Sequence, residues 1–194
     1  SDGTLWAWGH NDTAGKLGDG TNIIQPIASL APHQIGTATN WTSVAPGLKH
    51  VLALRADGTI WSWGANDNGN LGDGNDASSV GYTPTLVPTQ IGSGTDWTSV
   101  SAGTNYSLAR KQVRHGSNPY ITGTVWAWGR NEQGQLGDGS TTQRNTPTQT
   151  GVISTWTHIE TGQGHSLGIR WDGTLWAWGD NAFGQLGDNT NTDR

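Results

Sequence analysis

The chain contains no cysteine and no methionine. Disulfide frameworks, thiolate nucleophiles and cysteine-based zinc sites are therefore excluded. A chain free of both sulfur residues suits an oxidising exterior. Charge is also scarce: 13% of residues are Asp, Glu, Lys or Arg, and the net charge is −5. Nucleic-acid binders draw most of their affinity from neutralising phosphates with a basic stripe. Here the ten Lys and Arg are scattered apart from one local cluster, so DNA and RNA are disfavoured as partners. No apolar run approaches the roughly 18–20 residues needed to span a bilayer.

Tryptophan and glycine stand where aliphatic residues would usually be, with 12 and 30 copies in 194 residues. Each buried indole removes on the order of 150–250 Å² from water, so twelve can replace much of an aliphatic core. The octamer DGTLWAWG occurs verbatim at residues 2–9 and again at 172–179. It heads four aligned segments: SDGTLWAWG (1–9), ADGTIWSWG (56–64), ITGTVWAWG (121–129) and WDGTLWAWG (171–179). Their glycines Gly3, Gly58, Gly123 and Gly173 are spaced by 55, 65 and 50 residues. A second block follows each: GKLGDG (15–20), GNLGDG (69–74), GQLGDG (134–139) and GQLGDN (184–189). A third occurs three times, as WTSVAPGLKHVLALR (41–55), WTSVSAGTNYSLARK (97–111) and WTHIETGQGHSLGIR (156–170).

Every block reads as strand or turn. In TLWAW, Thr4, Trp6 and Trp8 point one way and Leu5 and Ala7 the other. Both sides are apolar, one bulky and one small, which predicts a strand buried on both faces between two neighbouring sheets. Trp61, Trp63, Trp126, Trp128, Trp176 and Trp178 hold the same places in the other copies. The preceding Asp-Gly supplies the positive φ of a tight hairpin turn, with HVLALR or HSLGIR as the partner strand. Periods of this length, with several strands per unit, predict a β-propeller of four-stranded blades. Parallel β-helix coils are far shorter, and no helical periodicity exists. The octamer is thus architecture, written once per blade.

The pattern DGT-[LIV]-W-[AS]-W-G, G-[QNK]-LGDG and W-T-[SH]-[VI]-x-x-G-x-x-[HY]-x-L resembles the regulator of chromosome condensation (RCC1) repeat, over essentially the whole chain. The Trp-x-Trp form and the GDGT tail resemble most the bacterial, surface-associated version. The resemblance implies a seven-bladed propeller whose members are generally not enzymes acting on small molecules. They include an exchange factor for a small GTPase, a β-lactamase inhibitor and surface proteins. The expected architecture is all-β, with about three and a half repeats in segments near 1–40, 41–96, 97–155 and 156–194. There are four copies of the DGT…GDG half but three of the PTQIG…LALR half, and both ends fall in mid-repeat. The simpler reading is part of a longer chain. Two such chains lack the same half at a junction, so counting alone predicts no neat dimer.

Candidate residues divide by recurrence. His50, Tyr106 and His165 share one repeat position, which assigns His50 and His165 a structural role, the ring hydrogen-bonding a neighbouring loop. His10, His33, His115 and His158 lack zinc-site spacing. Asp19, Asp73, Asp138 and Asp188, with Asn11, Asn66, Asn131 and Asn181, read as turn formers. NDNGNLGDGND (66–76) lacks the ligand order of a calcium loop. Serine-elbow and phosphate-loop motifs are absent, and Glu132 and Glu160 are the only glutamates, so the sequence implies no catalytic residue, metal or cofactor. Binding residues should instead vary between repeats and lie on loops. Two lengthened loops qualify: QVRHGSNPYIT between Lys111 and Gly123, and NDASSVGYTPTLVPTQI between Gly74 and Gly92. They nominate Arg110, Lys111, Arg114, His115, Tyr120 and Tyr82 as contacts for a protein partner. Trp171 and Phe183 depart from the repeat as exposed anchors or as filler at a blade interface. The expectation is a non-catalytic protein-binding or structural module outside a bacterial cell, with loop-face clamping of one globular partner, as by an inhibitor or exchange factor, as the rival. Self-assembly through open blade edges is the further partner expected.

Overall fold

A computed structural model describes residues 2–22, 29–77, 83–113 and 122–194, and among these every regular element is a strand. Strands β1 (Trp6–Gly9) and β2 (Ser29–Gln34) form an antiparallel pair. Strands β3 (Trp41–Pro46), β4 (His50–Arg55), β5 (Ile60–Gly64) and β6 (Thr85–Gln90) form a four-stranded sheet in chain order. The next four repeat it: β7 (Trp97–Ala102), β8 (Tyr106–Val113), β9 (Thr122–Gly129) and β10 (Arg144–Gln149). Strands β11 (Trp156–Thr161), β12 (His165–Arg170) and β13 (Leu175–Gly179) make three strands of a last blade. Arg194 begins to pair with Gly179 there, as Arg144 pairs with Gly129 one blade earlier.

The local reasons recur with the sequence. Gly58 and Gly173 have φ of 77° and 81°, and each amide closes its turn onto the carbonyl of Arg55 or Arg170. Gly58 also lets chains approach: a Cβ there would lie 2.1 Å from the Thr95 carbonyl oxygen. Asp57 and Asp172 accept the backbone amide and hydroxyl of Thr59 and Thr174, which holds both carboxyls below the usual range. The first strand of each of the three later blades bulges just after its tryptophan, at Trp41, Trp97 and Trp156.

The core consists of three apolar slabs, each between two successive blades. Leu5, Trp41, Val51 and Trp63 form the first, Leu52, Ile60, Trp97 and Trp128 the second, and Tyr106, Leu108, Leu136 and Trp156 the third. The prediction that both faces of the TLWAW strand are buried holds in the middle blades, where Val125, Ala127 and Trp128 are fully enclosed. It fails at the two ends. Trp6 and Trp8 of β1, and Leu175 of β13, are exposed, because neither strand has a sheet on its outer side.

Candidate protein-binding surfaces

The repeated tryptophans act in two separate ways. In the three later Trp-x-Trp pairs the second indole reaches across to the blade before it. Trp63 Nε1 donates to the Lys16 carbonyl (2.9 Å), Trp128 to Asn70 (2.9 Å) and Trp178 to Gln135 (3.0 Å). Each indole lies flat against a glycine of the GDG block, Gly18, Gly72 or Gly137, where a Cβ would come within 2.6–2.8 Å of Nε1. The backbone amides of Gly20 and Gly74 then donate to Leu86 and Asn145 on the outermost strand of the following blade. Aromatic plug, glycine seat and backbone bond together make one interlock.

The first indole of each pair stays at home, its Nε1 bound to the hydroxyl of Thr4, Thr59, Thr124 or Thr174. It meets the blade's other tryptophan edge-on, as Trp41–Trp61 at 5.7 Å and Trp97–Trp126 at 5.8 Å. A cation covers both rings. Arg55 Cζ is 3.6 Å from the Trp61 ring, Lys111 Nζ 4.7 Å from Trp126 and Arg170 Cζ 3.8 Å from Trp176. Such contacts are worth about 0.5–1 kcal/mol at partly exposed sites. The sequence reading missed this clamp, although Arg55, Lys111 and Arg170 align as one repeat position.

The residues nominated for partner contact are thus separated. Lys111 clamps Trp97 and Trp126 and pairs with Asp96 at 3.2 Å. Arg110 is buried, its Nη1 on the Trp156 carbonyl (3.3 Å), and burial pulls its pKa down. Both cations therefore serve the blade packing. Arg114, His115, Tyr120 and Tyr82 lie outside the described residues.

The histidine position also joins blades, through a strand serine of the next blade where a loop was expected. His50 Nε2 lies 3.0 Å from Ser107 Oγ, whose own proton goes to the Asn70 carbonyl (2.8 Å). The network assigns the ring proton to Nε2. Burial depresses the His50 pKa to about 4, so the ring is neutral. One blade on, the Tyr106 hydroxyl bonds the His165 carbonyl and accepts from Ser166 Oγ. His50 and Ser107 are both fully buried, and the serine proton is committed to a carbonyl. The pair acts as a strut between blades.

The turn residues behave alike in all blades. Asn66, Asn131 and Asn181 are buried, each accepting a leucine amide through Oδ1 (2.9–3.0 Å). Their Nδ2 atoms donate to Asp73, Asp138 and Asp188. The Thr190 hydroxyl and neighbouring donors hold the Asp188 carboxyl down at about 2. Glu132 pairs with Arg130, and Glu160 accepts from Ser101 (3.2 Å) on the neighbouring blade.

Apolar grooves stand open at two places among the described residues. One, of about 410 Å³, lies at the leading edge and is lined by Leu5, Trp6, Trp8, Val44, Val51 and Trp63. The other, of about 1040 Å³, lies between the last two blades and is lined by Gly137, Ile153, Trp156, Trp176, Trp178 and Arg194.

Successive antiparallel blades interlocked through tryptophan plugs define a β-propeller array assembled from repeats of this length. The chain belongs to the regulator of chromosome condensation (RCC1) repeat family. The family model matches residues 2–54, 57–110 and 122–169, and a second model of the same repeat matches 41–70 and 156–185. The chain is similar to the mitochondrial RCC1 domain-containing protein RUG3 of Arabidopsis thaliana, 31% identical over 76% of this chain and 31% of that protein. It is similar to human E3 ubiquitin-protein ligase HERC2, 30% identical over 86% of this chain and 3% of that protein. It thus spans less than a third of these relatives. Among solved structures, yeast RCC1 (Prp20) bound to Kap60 superposes with a TM-score of 0.79 at 21% identity, over 98% of this chain and 43% of that one. Human WBSCR16 superposes with a TM-score of 0.75 at 23% identity, over the whole chain and 47% of that one. At these identities the superpositions establish the fold.

Proposed function

We propose that the chain is a non-catalytic protein-binding or scaffold module of a secreted or cell-surface bacterial protein. The observation that carries the binding reading is the division of labour along the repeat. Tryptophan, histidine, asparagine and aspartate positions are engaged in packing within and between blades, so loops and edges are left to make contacts. A fold of this kind hosts function on variable loops held by a rigid frame. The placement outside the cell rests on the sulfur-free composition and the Trp-x-Trp form of the repeat. Loss of the protein from the surface and medium fractions of producing cells would remove it.

A second reading, a regulatory propeller clamping one globular partner through its loop face, draws on the solved neighbours. Yeast RCC1 is described bound to Kap60, and Prp20p by its binding to Gsp1p and histones. The test is affinity capture with the whole chain and with a variant lacking 112–121. A one-to-one partner lost with the loop favours the clamp. Retention of every partner without the loop moves the contact to the blade edges. Turnover of any substrate abolished by Glu160→Gln would end the non-catalytic reading.

A further inference from the structure

The outermost strand of a blade carries a proline at one fixed place: Pro32 in β2, Pro88 in β6 and Pro147 in β10. Among the described residues each of these strands is paired on one side only, to β1, β5 and β9. The amides of Ile35, Ile91 and Thr150 donate to Leu5, Ile60 and Val125 on that side. Backbone groups alternate along a paired strand, so the proline three residues earlier is turned to the free edge. It offers no N–H there. The outward carbonyl two residues before it is engaged as well, Leu86 by the Gly20 amide and Asn145 by the Gly74 amide, at 2.9 Å each. Around the proline the register slips in all three strands, which marks a bulge. Inside the bulge, a hydroxyl of the same strand takes the carbonyl that precedes the proline. Thr89 donates to Val87 (3.1 Å) and Thr148 to Thr146 (3.0 Å). In β2, His33 stands where Thr89 and Thr148 stand, and the hydroxyl comes from Ser29, which donates to Ala31 (3.1 Å).

We propose that the outer rim is closed to strand addition, so that neither a second copy nor an extended segment of a partner pairs with β6 or β10. A free edge strand is otherwise a row of amides and carbonyls that another strand can extend. Proline on the edge and a bulge are both means of blunting such a row. Here the capped carbonyls add a third. An incoming strand would leave its own carbonyl unpaired opposite Pro88 and find the Leu86 carbonyl already taken. A buried backbone bond left unmade costs more than a made one gains. The departure in β2 carries the argument furthest. The capping hydroxyl has moved from one side of the proline to the other, yet the same carbonyl is taken, so the cap belongs to the position and not to one residue type. All of these features lie within the repeats and recur from blade to blade. The inference goes beyond the proposed function: it names a surface that partners do not use for backbone pairing, and leaves loops and rim side chains for contact.

The test restores the missing amide. Pro88→Thr and Pro147→Thr, singly and together, place at each site the residue type that already follows it. Wild type and variants are compared at equal concentration by light scattering and thioflavin T fluorescence, with backbone amide exchange read by mass spectrometry. Association through any other surface is common to all forms and cancels in the comparison. The double variant should associate at least about tenfold more tightly than the wild type. The added protection should fall at residues 85–90 and 144–149, which are β6 and β10. Circular dichroism checks the fold, and where one single variant is lost the other carries the same comparison. Folded variants that associate no more than the wild type overturn the proposal. The wild type is also mixed with a synthetic peptide of the β6 sequence bearing threonine for proline. No protection of 85–90 is expected, and protection there, from the peptide or from the wild type's own association, overturns the proposal without any variant.

Discussion

Trp8 and Trp128 occupy the same place in the same motif, so replacing each by alanine isolates what the neighbouring blade contributes. Trp128 is fully buried, donates to the Asn70 carbonyl at 2.9 Å and packs against Gly72. Burying an indole removes about 150–250 Å² from water. At about 25 cal/mol per Å² this is about 4–6 kcal/mol as an upper estimate. Truncations of buried tryptophan cost about 3–5 kcal/mol. Asn70 keeps the Ser107 hydroxyl as a second donor at 2.8 Å, so its carbonyl is not orphaned, and Trp128→Ala should fall inside that range. Trp8 keeps 60% of its surface in water. Scaling by the covered fraction leaves about 1–2 kcal/mol for Trp8→Ala. Urea titrations give both values if the slopes agree. A domain of this kind is stable by about 5–15 kcal/mol, so Trp128→Ala should move the midpoint by a large part of its value. Equal losses, within about 0.5 kcal/mol, would refute the claim that the interlock between blades, and not the motif itself, is the source of stability.

Three further outcomes are expected. His50 has its pKa depressed to about 4 by burial. The folded state therefore resists protonation that the unfolded chain accepts below about 6.5, and stability falls as pH drops through the window from 6.5 to 4. The loss should reach about 3 kcal/mol. His50→Tyr, the residue its sister repeat uses at Tyr106, should flatten that window when urea midpoints at both ends are compared. Gly58→Ala combines a φ of 77° with a Cβ 2.1 Å from the Thr95 carbonyl oxygen, whereas Gly173→Ala has a φ of 81° and open space. Thermal melts should show about 1 kcal/mol lost at Gly173 and clearly more at Gly58. Asn131→Ala removes the acceptor for the Leu136 amide and the donor to the Ser140 and Thr142 carbonyls. A loss of about 2–3 kcal/mol is expected, visible as faster amide exchange at Leu136.

Repetition made the fold legible. Period, alternation and the Asp-Gly turns depend on neighbours within a few residues, and four imperfect copies separate invariant positions from drifting ones. That is why the strand carrying Trp126 and Trp128, the turn at Gly58 and the Asn and Asp turn positions could be read directly. The candidate contacts were harder. Arg110 and Lys111 look like part of a basic loop in one repeat, and only the alignment of Lys111 with Arg55 and Arg170 betrays a clamp. Arg110 gave no such signal, because it stands where the other repeats have Leu54 and Ile169, and its engagement with the Trp156 carbonyl spans 46 residues.

By itself, the sequence determined that this is an all-β array of tryptophan-stapled repeats with no cysteine chemistry, since those properties are local and recur. The tertiary structure decided which of the identical motifs are core and which are surface. Trp8 and Trp128 differ in nothing their immediate neighbours could encode. What separates them is whether another blade stands alongside, and burial is a property of the assembled neighbours, not of the strand that carries the side chain.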